Sequence, residues 1–277
     1  MKVTHLTNKN PNTNLNEDSL LTQANVFGVF DGATGLKPYK NADNKTGGYL
    51  ASSITKDTFR ELALKMNLHD CAIKANRRVL AEMQRSSVDL QAKENLWCTT
   101  AAAVRINSDD FEWIGIGDSP ILIVYKDGKV KVLYHDDLDR ETIKLAHSMA
   151  SKMTGNALKL NGLRKEIMPQ IIAVRQKSNI DYGIINGEPA MVNFLRGGTE
   201  SLSNIKYILL LTDGLLLPKT DPVANEEFDL MATLFQNEGL PGLLKEVRSR
   251  QNEDPLCQKY PRLKQYDDAT GIAIEIE

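Results

Sequence analysis

Carboxylates at the ends of apolar runs are the residues of this chain with chemistry to offer. Val26-Phe27-Gly28-Val29-Phe30 delivers Asp31 into a glycine-broken turn, Gly32-Ala33-Thr34-Gly35, and Ile208-Leu209-Leu210-Leu211-Thr212 delivers Asp213 into Gly214. Asp267-Asp268-Ala269-Thr270 leads into the last apolar run, Gly271-Ile272-Ala273-Ile274, and Asn16-Glu17-Asp18-Ser19 precedes Leu20-Leu21. A carboxylate at the end of a buried strand is costly to leave unpaired. If the strands lie in neighbouring sheets, these acids converge at one rim and build an oxygen-rich site of the kind magnesium and manganese prefer. Taken singly each has a plainer reading, since Asp-Gly is above all a turn dipeptide and Glu17-Asp18 alone reads as a solvated turn.

The elements that must position these acids follow from periodicity. Residues 1–35 read as short strands joined by a polar turn, Asn8 to Asn14, and 36–46 as a Lys/Asn-rich loop. Helical spacing runs from Gly47 to Met66 (Leu50, Ile54, Phe59, Leu62) and from His69 to Met83 (Ala72, Ala75, Val79, Leu80). Four strand candidates follow: Cys98 to Ile106, Phe111 to Ile116, Ile121 to Lys126 and Val130 to Tyr134. Gly117-Asp118-Ser119-Pro120 and the hairpin signal Asp127-Gly128 separate them, which reads as one antiparallel meander. Residues 136–179 are charged and broken by glycines, and are read as short helices and loops inserted over the sheet. Strands are expected again at Ile180 to Ile185, Ala190 to Leu195 and Ile205 to Thr212, with a turn at Gly197-Gly198, helices at Glu226 to Phe235 and Leu240 to Arg250, and a closing strand Gly271 to Ile276. Strand runs grouped apart from helix runs argue for an α+β sandwich in one domain, 1–277.

Composition narrows the function classes. Of 277 residues 42% are hydrophobic, ample for a core, and the formal net charge of −2 advertises neither nucleic acid nor an anionic membrane. Cys71, Cys98 and Cys257 are widely spaced and read as reduced, and His5, His69, His135 and His147 are too scattered for a ligand set. No signal peptide opens the chain and no apolar run approaches the roughly 20 residues that span a bilayer, so a cytoplasmic, monomeric protein is expected.

In order, the motifs are N-E-D-S, V-F-D-G-x-x-G, T-T-A, G-D-S, L-L-T-D-G and D-D-x-T before a final strand. That series resembles the metal-dependent serine/threonine protein phosphatases of the type 2C (PPM) family in their shorter bacterial form. The resemblance implies a four-layer α-β-β-α sandwich with two Mn²⁺ or Mg²⁺ ions at one rim. By motif position Asp31 matches the carboxylate bridging both ions, Gly32 the carbonyl donor, and Asp213 and Asp267 acids on the other ion. Glu17 and Asp18 match acids acting largely through waters, Asp118 a position that in bacterial relatives helps hold a third, weaker metal, and Asp268 stands beside the ligands. It further implies hydrolysis of phosphoserine or phosphothreonine on proteins, by a water that two cations activate without a covalent intermediate, with a Ser/Thr kinase or its target as partner. The segment 136–179 would form a flap over the site.

Two positions depart from the family pattern. Thr13 stands where an Arg usually grips the phosphate, with Lys37, Lys40 and Lys45 nearby as alternatives, and Ala33 stands where many eukaryotic members carry His. The first departure keeps open a weak or inactive regulatory module of the same fold; a metal hydrolase of a small phosphorylated metabolite is a third reading.

Overall fold

The computed structural model describes residues 1–136, 166–222 and 224–276. In chain order the strands are β1 (Lys2–Asn8), β2 (Ser19–Gln23), β3 (Val26–Phe30), β4 (Gly32–Ala33), β5 (Cys98–Thr99), β6 (Ala101–Ile106), β7 (Asp110–Ile116), β8 (Ile121–Tyr125), β9 (Val130–Tyr134), β10 (Arg196–Ser201), β11 (Ile205–Leu211) and β12 (Ala269–Glu275). The helices are α1 (Gly47–Leu62), α2 (Leu68–Arg85), α3 (Met168–Gln176) and α4 (Phe228–Glu253). Two antiparallel five-stranded sheets, ordered β1-β12-β11-β8-β9 and β10-β7-β6-β3-β2, carry the fold, with β4 and β5 forming a small ladder of their own.

Alternation along the strands sorts side chains into three apolar layers. On β3, Phe27 and Val29 point between the two sheets with Ala102, Val104, Ile208 and Leu210. Phe30 points the other way, into the layer where Phe59, Cys71, Ala75 and Val79 of α1 and α2 cover the second sheet. Leu209 and Leu211 of β11 pack under Met231, Phe235 and Leu243 of α4. The result is the α-β-β-α sandwich. Among the described residues, no helix is long and apolar enough to cross a membrane.

Several local expectations fail for identifiable reasons. The four middle strands are not one meander: β6 and β7 belong to one sheet and β8 and β9 to the other, so Gly117–Pro120 carries the chain between sheets. The Cys98–Ile106 run breaks at Thr100, between β5 and β6. Ile180–Ile185 is no strand; Asn179 pins it as a loop, accepting from Ile184 N at 3.0 Å, and it makes only isolated bridges, Tyr182 to Ser178 and Ile185 to Thr99. Pro189–Phe194 is a 3₁₀ helix begun by its proline. Gly197 and Gly198 lie inside edge strand β10, opposite Ile114 and Trp113, where no turn exists. The two expected C-terminal helices meet in α4 at a kink, with Gly239 at φ 69° and Pro241 just beyond. Most of the expected flap, residues 137–165, lies outside the described residues; its C-terminal part includes α3.

Candidate metal centre

Antiparallel pairing brings the acids together. β2 and β3 align Ser19 with Phe30, which sets Asp18 beside Asp31 at one end of that sheet. β11 and β12 align Leu211 with Gly271, and Thr212 N donates to Thr270 O at 2.9 Å, so Asp213 leaves the other sheet where Asp267 and Asp268 enter it. Because the two sheets stack, both ends open on one rim. Asp118, in the turn between sheets, lines the same two cavities as Asp213.

The Asp-Gly pairs owe their glycines to crowding. A Cβ on Gly32 would lie 2.3 Å from Gly48 O, and one on Gly214 1.7 Å from Asp268 O. Neither glycine needs a left-handed φ, so the two dipeptides mark close backbone approach, whereas the sequence suggests a turn.

Neutral side chains and backbone hold the cluster in shape. Thr212 Oγ1 donates to Asp18 Oδ2 at 2.9 Å and accepts from Thr270 N at 2.9 Å, tying the two sheets at the rim. Asp31 N donates to Thr100 Oγ1 at 3.2 Å, Thr100 N donates to Asp31 O at 2.9 Å, and the Thr100 hydroxyl meets Ser119 Oγ at 2.6 Å beside Asp118. Asp268 is a strap: its two oxygens accept from Asn10 N and Glu17 N, each at 2.7 Å. Glu17 turns towards α1, where Oε1 accepts from Thr34 Oγ1 at 2.6 Å. Arg248 of α4 donates to Asp267 O and Asn8 Oδ1, both at 2.8 Å, fixing the approach to β12.

Electrostatically the rim is overloaded with negative charge. Burial pushes Asp18 well above the usual carboxylate range, with Asp267 and Asp268 adding repulsion against the hydrogen bond from Thr212. Asp31 is raised in the same way by burial, then by Asp213, which its carboxyl touches, and by Asp18. Burial pushes Asp267 up to about 7 against the pull of Lys264, with lesser help from the repulsion of Asp213 and Asp268. Lys264 Nζ pairs with Asp267 Oδ2. Burial works against that ammonium, yet Asp267, Asp213 and Asp31 together hold it above the usual lysine range.

The fit to a divalent ion is seen in what the protein leaves unsatisfied. Asp18 Oδ1 and Asp213 Oδ1 are buried and accept no hydrogen bond. Orphaned carboxylate oxygens beside like charges are the donor chemistry hard cations take. Among the described residues, no group of three His, Cys, Asp or Glu side chains is arranged to hold a metal ion as the chain stands, and Lys264 is the cation in contact with Asp267.

Sequence reasoning placed the acids and missed their supports. Thr100 and Thr212, which read as ordinary strand residues, are the hydrogen-bonding hubs. Lys45 stacks its ammonium 4.2 Å over the Tyr49 ring. Neither it, Lys37 nor Lys40 lines the cavity beside Asp31; Lys93, Arg175 and Lys264 do. Thr13 folds back on its own turn, its hydroxyl donating to Leu15 O at 3.0 Å and Asn10 O at 3.2 Å.

The family model described as Protein phosphatase 2C matches residues 7–248, and the chain belongs to that family. Among solved structures, the chain is similar to the catalytic domain of the serine/threonine protein phosphatase PstP in complex with two manganese ions (16% identity, TM-score 0.60, covering 100% of this chain and 98% of that one). It is also similar to PstP/Ppp of Mycobacterium tuberculosis (17%, TM-score 0.58, 100% and 98%). Stp1 of Staphylococcus aureus matches at 15% and TM-score 0.60, over 100% and 95% of the two chains. At these identities the likeness speaks for the fold. No curated protein matches the chain in sequence.

Proposed function

We propose that the chain, acting as a single phosphatase domain over 1–277, hydrolyses phosphoserine and phosphothreonine monoesters on proteins with two Mn²⁺ or Mg²⁺ ions at the rim. The observation carrying this reading is the pair of buried, unpartnered oxygens on Asp18 and Asp213, from opposite sheets, in a family of metal-dependent phosphatases. Asp31, the Gly32 carbonyl, Asp213 and Asp267 would hold the ions, with Glu17 and Asp18 close by and Asp118 placed for a further one. Asp268, both of whose oxygens already accept backbone N–H groups, takes a positioning role beside the ligands. Bound there, the ions supply an activated water and positive charge for the phosphoryl oxygens.

The protein's own part is orientation. Thr212 and Thr100 fix the carboxylates on the two sheets, Asp268 and Arg248 fix the entry to β12, and the cavity beside Asp31 offers Arg175 towards an anionic substrate. Thr13 favours a second reading, a regulatory module of low activity, because its hydroxyl is spent inside its own turn and supplies no charged fork for phosphate. Turnover of an aryl phosphate and of a phosphothreonine peptide, with Mn²⁺ and with EDTA, in the wild type and in Asp31→Ala and Asp213→Ala, separates the two. Metal-dependent turnover lost in both variants supports the enzyme; metal binding without turnover supports the module.

A further inference from the structure

Lys264 is the cation that the carboxylate rim already contains. It belongs to the loop between α4 and β12, which is tied by hydrogen bonds: Asp254 accepts from Gln258 N at 2.9 Å and Tyr260 N at 2.7 Å. Arg262 donates to Asp254 Oδ2 at 3.1 Å, to Tyr260 O at 2.7 Å and to Gln265 O at 3.1 Å. These bonds tie the chain on either side of Lys264, whose head falls on Asp267 Oδ2. The side chain is 52% exposed, against 17% for Asp267, so an open stem carries a head turned into the acids. Lys264 also lines both cavities flanking Asp118 and Asp213, which leaves the ammonium room on either side.

One ammonium facing Asp31, Asp213 and Asp267 cannot neutralise them, and its three N–H donors leave Asp18 Oδ1 and Asp213 Oδ1 unpartnered. A divalent ion carries twice the charge and takes several oxygens at once. The two cations cannot share the Asp267 carboxylate at close range without strong repulsion.

We propose that Lys264 is a tethered counter-ion that occupies the carboxylate rim of the metal-free protein and competes with divalent metal for it, so that metal binds only as the ammonium swings out. This builds on the metal-centre reading above and adds to it a loading threshold set by one side chain. Apparent metal affinity is then lowered by the fraction of molecules in which the seat is free.

The test is Mn²⁺ binding by isothermal titration calorimetry to wild type, Lys264→Met, Lys264→Gln and Lys264→Arg, with Lys93→Met as control. Lys93 lines the same cavity but is held by Glu188 at 2.8 Å and Ser178 O at 2.6 Å. The two neutral Lys264 variants should bind Mn²⁺ about tenfold tighter or more, while Lys264→Arg and the control stay near wild type. In EDTA the neutral variants should also melt lower, with Mn²⁺ closing the gap. Equal affinity in wild type and both neutral variants overturns the competition and leaves the metal-centre reading standing, as does an equal gain in Lys93→Met. No Mn²⁺ binding by any variant overturns both.

Discussion

Thr212 shows how much of the site is carried by residues with no charge. Its hydroxyl is a donor to Asp18 and an acceptor for Thr270 N, and the position is fully buried. Thr212→Val keeps the shape and removes both bonds, leaving a buried amide unsatisfied and Asp18 with only its weaker hydrogen bond from Thr270. Stranded groups of this kind cost about 1–3 kcal/mol, so denaturant unfolding should show a loss in that range, with Mn²⁺ affinity also reduced. The acids should behave in the opposite way. Asp31 is raised by burial and by its neighbours Asp213 and Asp18, so Asp31→Asn relieves repulsion and should raise the melting temperature in EDTA. The same substitution should lower Mn²⁺-dependent turnover by at least about 100-fold, since it removes a ligand from the group supplying the activated water. A variant that lost stability and activity together would place Asp31 outside the repulsive cluster.

Between elements, the decisive tie runs from the start of β12 to the N-terminal turn. Asp268 accepts from Asn10 N and Glu17 N, partners 258 and 251 residues away in the chain. Asp268→Ala removes two charge-assisted bonds and strands two N–H groups; a loss of roughly 3 kcal/mol is expected. Hydrogen exchange should locate it at residues 10–18 and 266–270, with the helical layers unaffected.

These ties explain which elements could be read from sequence. The runs ending in Asp31 and Asp213 announce themselves because they are unbroken, β-rich and stopped by glycine. α1 and α2 show their periodicity openly. Ile180–Ile185 and Ala190–Leu195 carry equally apolar residues, but their backbone is set by distant polar partners. Asn179 Nδ2 donates to Asn186 Oδ1 at 2.7 Å, and Asn76 Nδ2 on α2 donates to Glu188 O at 3.0 Å. A network assembled from α2 and this loop leaves no local period to detect. Lys264 was invisible for the same reason: three residues before Asp267 it reads as a surface charge, and only the folded loop turns its head into the acids.

At the scale of the whole molecule, folding forces like charges together, and this has a pH signature. Asp18 and Asp31 are held above the carboxylate range, and Asp267 is pushed to about 7. Unfolded, each would titrate at about 3.9. Between those limits the folded, metal-free chain keeps protons that the unfolded chain has released, so its stability falls as pH rises from about 4 through 7. Divalent metal reverses the trend, because it binds the deprotonated carboxylates and stabilises the folded state by mass action, about 2.7 kcal/mol at a hundred times its dissociation constant. Melting in EDTA should therefore decline from pH 5 to pH 8, while the gain on adding saturating Mn²⁺ should grow over the same interval. Taking the difference between wild type and Asp31→Asn at each pH removes groups elsewhere that also titrate. A difference that is flat across the interval would mean that the carboxylates of the two sheets do not share one desolvated rim.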